Sequence, residues 1–276
     1  MAFEKIAIIA GQGTLPQLII NACIAQGRPF CVVAIEGNTP SNICENHETI
    51  HTSYGKVGAT LQAMRSHDVT HVVMAGKMSR PSLGSLRLDA KGAKLLARIG
   101  RGLFSGDDRL LRAITDFFEE EGFRVMGADE ILEDAVTPPG TLGQHAPSAA
   151  DMQDIWVGVS AARALGLRDA GQAVIVQAGA VLGEETSAGT DALIATCQTL
   201  KMPQAGGVLV KVKKPQQERR ADLPAIGMET VRLVAQAGFS GIALEAGHSL
   251  ILSRADVVAA ADAEGIFLYG ITESDS

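Results

Sequence analysis

Aromatic side chains are scarce in this sequence: one tryptophan, two tyrosines and eight phenylalanines among 276 residues. Glycine, at thirty residues, is plentiful, and the combination points to an α/β protein with many tight strand–helix turns. Positive charge is in deficit, with 24 Lys and Arg against 31 Asp and Glu and a net charge of −7. Binding to nucleic acid through phosphate neutralisation needs a broad basic surface, so that class is excluded. Long apolar runs are missing; none approaches the ~20 residues that cross a bilayer. A soluble protein is expected, with contact at a membrane surface left open. The short apolar run at 5–10 ends in a glycine loop and reads as a strand, not a secretory leader. The four cysteines, Cys23, Cys31, Cys44 and Cys197, have no paired spacing. Reduced, buried thiols and a cytoplasmic setting are therefore expected.

The length suits two domains of ordinary size. In the first half, strand signals at 5–10, 30–37, 70–76 and 123–132 alternate with helical periodicity at 15–27, 57–67 and 106–122. Pro16 in the first turn and Gly27 past the end bracket the first helix. Strands separated by helices imply a parallel sheet with right-handed crossovers. Residues 133–149 carry three prolines, two glycines and no helical period, and read as a linker. Helices at 149–166, 189–200, 228–238 and 254–265 then alternate with strands at 172–183, 207–214, 240–247, 248–253 and 266–271. The expected fold class is α/β, with a Rossmann-like parallel sheet in 1–133, a linker over 134–148, and a mixed α/β sheet in 149–276.

Several strings carry chemistry. "HETIH" at 47–51 matches a zinc-protease pattern, but that pattern needs both imidazoles on one helix face. Turn formers precede it and an extended chain follows, so the match is set aside as chance. "IIAGQGTLP" (8–16) joins a strand to a helix, where Gly11, Gln12 and Gly13 can bring backbone N–H groups to a phosphate. The string is not the full dinucleotide fingerprint, and a plain tight turn explains it nearly as well. "MAGKMSRPSL" (74–83) ends another strand with Gly76, Lys77 and Arg80. Ligands of open parallel sheets sit beyond the carboxyl ends of the strands, which would bring this loop and 11–13 to one crevice. The most informative stretch is "GVLVKVKKPQQERRADLPAIG" (207–227), with Lys211, Lys213, Lys214, Arg219 and Arg220 in an acidic chain. Strand alternation puts Lys211 and Lys213 on one face. A discrete anion such as a diphosphate fits this cluster. Asp222, beside it, can hold a divalent metal, orient a water or accept its proton, or simply pair with Arg219 or Arg220. "ALEAG" (243–247) repeats the layout with Glu245 at a strand end.

These strings, together with "GDDRLLRAI", "GTDALI" and the "ADAEGIFLYG" ending, resemble the two-domain UDP-2,3-diacylglucosamine pyrophosphatases of the lipid A pathway. The resemblance runs in order through nearly the whole chain, and "KVKKPQQERRADLPAIG" is its most specific part. It implies Mg²⁺-dependent hydrolysis of UDP-2,3-diacylglucosamine to 2,3-diacylglucosamine 1-phosphate and UMP, with substrate bound between the two domains. It puts the essential acid at Asp222 and substrate contacts at Gly11, Gln12, Gly13, Gly76, Lys77, Arg80, Gln177, Asp191, Lys211, Lys213 and Glu245. Gln12 stands where many relatives have glycine. The basic residues of 83–101, Arg87, Lys91, Lys94, Arg98 and Arg101, are candidates for contact with anionic lipid at the inner membrane. The competing readings are a non-catalytic carrier of the same sugar-nucleotide lipid and a nicotinamide-dependent oxidoreductase. Monomer and homodimer both remain open.

Overall fold

The computed structural model describes residues 4–79, 87–100, 107–203 and 206–272. Two compact units divide the chain: 1–133 with 218–222, and 134–217 with 223–276.

The first unit is built on strands β1 (Lys5–Ala10), β2 (Phe30–Ile35), β3 (Thr49–Thr52), β4 (Val69–Ala75) and β5 (Arg124–Met126). Its helices are α1 (Leu15–Ala25), α2 (Ser41–Cys44), α3 (Val57–Ser66), α4 (Ala90–Ile99) and α5 (Asp107–Glu120). The strands run parallel in the order β3-β2-β1-β4-β5. Strand alternation explains why β1 is apolar at every position after Lys5. Ile6, Ile8 and Ala10 face Ile19, Ile20 and Cys23 of α1, while Ala7 and Ile9 face Leu61 and Met64 of α3 and Phe117 of α5. A sheet covered on both faces needs such unbroken runs, and each fully buried large side chain contributes about 1.5–3 kcal/mol. The string 47–51 falls partly in β3, an extended strand, so His47 and His51 never share a helix face.

One carboxylate starts two helices in this unit. Asp89 accepts from Gly92 N (2.7 Å) in α4, and from Gly58 N (2.7 Å) and Ala59 N (3.2 Å) in α3. Burial opposes its ionisation, but these backbone donors prevail and hold its pKa below the usual range.

The second unit contains β6 (Gly140–Leu142), α6 (Ala149–Leu167), β7 (Ala173–Gln177), β8 (Ala180–Glu184), α7 (Thr190–Leu200), β9 (Val208–Lys211), β10 (Ala225–Ile226), α8 (Met228–Gln236), β11 (Gly241–Glu245), β12 (Leu250–Ile251), α9 (Arg254–Glu264) and β13 (Phe267–Ile271). Its main sheet has the order β6-β13-β11-β9-β7-β8. β9, β11 and β13 are parallel; β6, β7 and β8 pair antiparallel to their neighbours. α6 covers one face through Ile155, Val159, Ala162 and Leu165, and α7, α8 and α9 cover the other. Ser148 and Asp151 cap α6 reciprocally. β10 and β12 form a separate parallel pair.

Two expectations change here. Residues 134–148, read as a linker, belong to the second unit and supply β6, which pairs with β13 from Leu142↔Leu268 to Gly140↔Gly270. The prolines flank this three-residue edge strand, a position where a missing N–H is tolerated. The single strand expected at 172–183 is a hairpin. Its two-residue turn, Ala178–Gly179, has φ of 53° and 76°, which an alanine adopts only with support. Asp154 of α6, almost fully buried, provides it by accepting from Ala178 N (3.1 Å) and Gly179 N (2.6 Å).

Candidate functional site

In the first unit the carboxyl ends of all five parallel strands open on one edge. There the loops after β1 and β4 are zipped together. Gly11 N donates to Ala75 O (2.7 Å), Gln12 N to Lys77 O (2.8 Å), and Lys77 N back to Gln12 O (2.9 Å). A β-carbon on Gly11 would strike Lys77 O, and one on Gly76 would strike Gln12 O. These glycines allow the close approach of the two loops. The amides of Gly11, Gln12 and Lys77 are thus engaged within the protein, while Gln12, Gly13, Gly76 and Lys77 remain exposed at the rim. Gly13 keeps a φ of 97°.

Asp222 reaches this unit by an unexpected route. The chain leaves the second unit after Gln217, contributes residues 218–222 to the first, and returns at Leu223. The visiting segment is one closed turn: Glu218 O accepts from both Ala221 N and Asp222 N at 3.0 Å. Arg219 donates to Asp129 Oδ2 from Nε (3.0 Å) and Nη2 (2.7 Å). Arg220 pairs with Glu119 at the end of α5 and with Glu218 Oε1 (2.9 Å). The Arg220 hydrogen bond holds the Glu218 carboxyl below its usual pKa. Asp129 lies just past β5, on the same strand-end edge as 11–13 and 76–77. The two arginines therefore fasten the turn to carboxylates, where the sequence had offered them to a bound anion. Asp129, Glu119 and Glu218 are thus partners of these arginines that lie outside the pairing with Asp222 offered by the sequence.

The second unit has its own strand-end edge, where β9, β11 and β13 terminate. Lys211, 6% exposed, donates from Nζ to Thr190 Oγ1 (3.0 Å) and Ala225 O (3.2 Å). Thr190 in turn donates to Glu185 Oε1 (2.5 Å), and Glu185 Oε2 accepts from Gln172 N (2.9 Å). A hydroxyl thus relays between a buried ammonium and a buried carboxylate. Asp191, next to Thr190 in the first turn of α7, is exposed. Glu245, ending β11, accepts from Lys213 N (2.8 Å). Lys211, Lys213, Asp191 and Glu245 are brought to this one edge. Lys214 turns to the other side and pairs with Asp169 (2.7 Å).

Gln177 falls elsewhere. β7 runs antiparallel to β9 with Ala173 opposite Lys211, which puts Gln177 at the far end of the sheet. Its amide is 1% exposed and accepts from Met202 N (2.9 Å). Arg80 lies outside the described residues. Among the basic residues of 83–101, Lys91 pairs with Glu121, and Arg98 with Glu120 (2.6 Å) and Asp116 (3.6 Å). Acids in α5 and just after it therefore pair with two of these cations, Lys91 and Arg98. Arg101 is not among the described residues.

Comparison with known proteins settles the lineage. The LpxI N-terminal domain family matches residues 5–135, and the LpxI C-terminal domain family matches residues 138–269. The chain belongs to the LpxI family. It is 37% identical over 274 residues to a protein of Caulobacter vibrioides named UDP-2,3-diacylglucosamine pyrophosphatase LpxI, covering 97% of this chain and 98% of that one. Solved structures are more distant. A CobK precorrin-6A reductase aligns over 98% of this chain and 88% of its own at 13% identity, with a TM-score of 0.31. The Thermus thermophilus UDP-glucose 4-epimerase in complex with NAD aligns over 97% and 85% at 14% identity, with a TM-score of 0.29. Neither likeness bears on function.

Among the described residues no group of three or more His, Cys, Asp or Glu is placed to hold a metal ion. Mg²⁺ asks for less: one or two carboxylates, with waters and substrate phosphate completing its shell. Asp222, a half-buried residue at the end of the turn 218–222, is the carboxylate that the sequence offered for it. Asp129, Glu218, Thr190 and Glu185 went unrecognised in the sequence. Glu218 lies inside the basic stretch itself, four residues before Asp222. Asp129 had no local signal, since its partner is 90 positions away.

Proposed function

We propose that the chain hydrolyses the pyrophosphate bond of UDP-2,3-diacylglucosamine, giving 2,3-diacylglucosamine 1-phosphate and UMP in lipid A biosynthesis. The kinship that spans 97% of the chain with a pyrophosphatase so named carries this reading. In the reaction one water adds across the P–O–P bridge, so that each phosphorus leaves with its own phosphate group. The diphosphate is anionic and repels an incoming nucleophile. Cationic side chains lower that repulsion; the candidates are Lys77 and Arg80 in the first unit and Lys213 in the second, with Lys211 held behind it by Thr190 and Ala225. Gly11, Gln12 and Gly13 form the rim against which the nucleotide part rests. Asp191 and Glu245 accept from substrate hydroxyl groups. Asp222 is the essential acid; Mg²⁺, held by its carboxylate, would neutralise the diphosphate and the charge that develops on it. Gln177, on the opposite edge of its sheet, has no part in this assignment.

Among the described residues no helix is long and apolar enough to cross a membrane. We assign the reaction to the cytoplasmic side of the inner membrane, where an acylated substrate resides. Purified protein incubated with UDP-2,3-diacylglucosamine and Mg²⁺ should release equimolar UMP and the acylated sugar phosphate, read by mass spectrometry, and chelation should stop it. Stoichiometric binding of the substrate with no UMP under any divalent metal would instead identify a carrier.

A further inference from the structure

We propose that Asp129 is a positioning residue for Asp222, acting through Arg219, and that the turn 218–222 is an anchored carrier of the essential acid. The inference rests on the pyrophosphatase reading and extends it. The turn that bears Asp222 is joined at both ends to the second unit, at Gln217 and Leu223, yet it belongs to the first. The turn has few apolar groups to hold it there, so its placement depends on its polar anchors.

Those anchors differ in quality. Arg220 is tied to Glu119, an exposed residue on α5, and to Glu218 of its own turn. Arg219 is tied by two donors to a carboxylate whose side chain is only 9% exposed. A charge-assisted fork on a shielded carboxylate is directional and resists solvent. Asp129 is itself fixed from below. Its Oδ1 is buried against Gly127 with no hydrogen-bond partner among the described residues, and a β-carbon at 127 would collide with it. Gly127 N is meanwhile held by Glu130 Oε1 at 2.9 Å. The second carboxylate oxygen has one direction in which to act, and Arg219 occupies it. Only Arg220 and Ala221 separate Arg219 from Asp222, and the Glu218 carbonyl closes the segment into a turn. A shift at Asp129 therefore moves the Asp222 carboxyl as a body.

The test uses the full chain with Asp129→Asn, Arg219→Gln and Arg219→Lys. Asp129→Asn and Arg219→Gln should each lower kcat about 10- to 100-fold, the scale of a ~1 Å misplacement, with KM changed less than about twofold. Arg219→Lys, which keeps the charge but not the fork, should recover part of the loss. Asp129→Asn removes the shielded charge and keeps the shape, so its melting temperature should stay close to wild type, whereas Arg219→Gln leaves that carboxylate unpaired and should lower it. Hydrogen exchange at the amides of 219–222 should accelerate about tenfold or more in the first two variants. That last measurement needs no substrate, so it decides the anchoring even if the wild type proves inactive, an outcome that would overturn the catalytic reading alone. Wild-type kcat in both variants, unchanged exchange in the turn, or a kcat loss in Asp129→Asn that simply follows a fall in melting temperature overturns the proposal.

Discussion

Arg219 donates twice to a single carboxylate oxygen of Asp129, at 3.0 and 2.7 Å, across 90 positions of sequence. The glycine beneath that carboxylate supplies a prediction that uses no charge change. Gly127 has an ordinary extended backbone, so alanine there adds no strain of its own. Its β-carbon would nevertheless displace Asp129. Gly127→Ala should therefore reproduce the Asp129→Asn loss of kcat, and a wild-type rate in this variant would show that Asp129 need not stay in place.

The acid that closes the turn predicts a pH dependence. Arg220 holds the Glu218 carboxyl below its ordinary pKa. A depressed folded-state pKa means that the stabilisation is present above the ordinary carboxylate range and is lost as pH falls through the folded value. Exchange protection of the 218–222 amides should be constant through neutral and weakly acidic pH and fall once the pH drops below the ordinary glutamate range. Glu218→Gln should show weaker protection at neutral pH and converge on the wild type in acid.

The relay under Lys211 predicts a stability loss with a conservative rescue. Thr190→Val removes the hydroxyl that accepts from Lys211 and donates to Glu185 while keeping the shape. Leaving these buried charged groups without that link should cost about 1–3 kcal/mol in urea unfolding. Thr190→Ser should recover most of it. Equal stability of the valine and serine variants would remove the relay from the account.

The β7–β8 turn gives a prediction in the fold itself. Asp154→Ala deprives two turn amides of a buried carboxylate, and hydrogen bonds to charged groups contribute about 1.5–3 kcal/mol each. A destabilisation of about 2–4 kcal/mol is expected by urea titration. A loss below about 0.5 kcal/mol would show that the positive-φ turn at Ala178 stands without it.

What the sequence made legible follows from how local each cause is. β1, β2 and β4 are apolar on both faces, and that pattern needs no knowledge of the partners. The sequence placed the loops after β1 and β4 side by side, because two strand ends of a parallel sheet open on one edge, and the Gln12–Lys77 bridge joins them there. Hidden features have remote causes. The hairpin turn at 178–179 has an alanine where a turn signal would carry asparagine or glycine, and its support comes from Asp154 on another element. β6 is three residues long and recognisable only beside β13. The carboxylate partners of Arg219 and Arg220 at 129 and 119 were hidden because they are far away in sequence. Gln177 looked like a strand-end residue, and it is one, but on a strand that runs the other way.

The most direct test is turnover by Asp222→Asn in the full chain with UDP-2,3-diacylglucosamine and Mg²⁺. The asparagine keeps the shape of the side chain and removes the carboxylate charge. UMP release should fall by at least about a thousandfold while the substrate still binds with near wild-type affinity. A variant that releases UMP at the wild-type rate would contradict the assignment of Asp222 and the chemistry built on it.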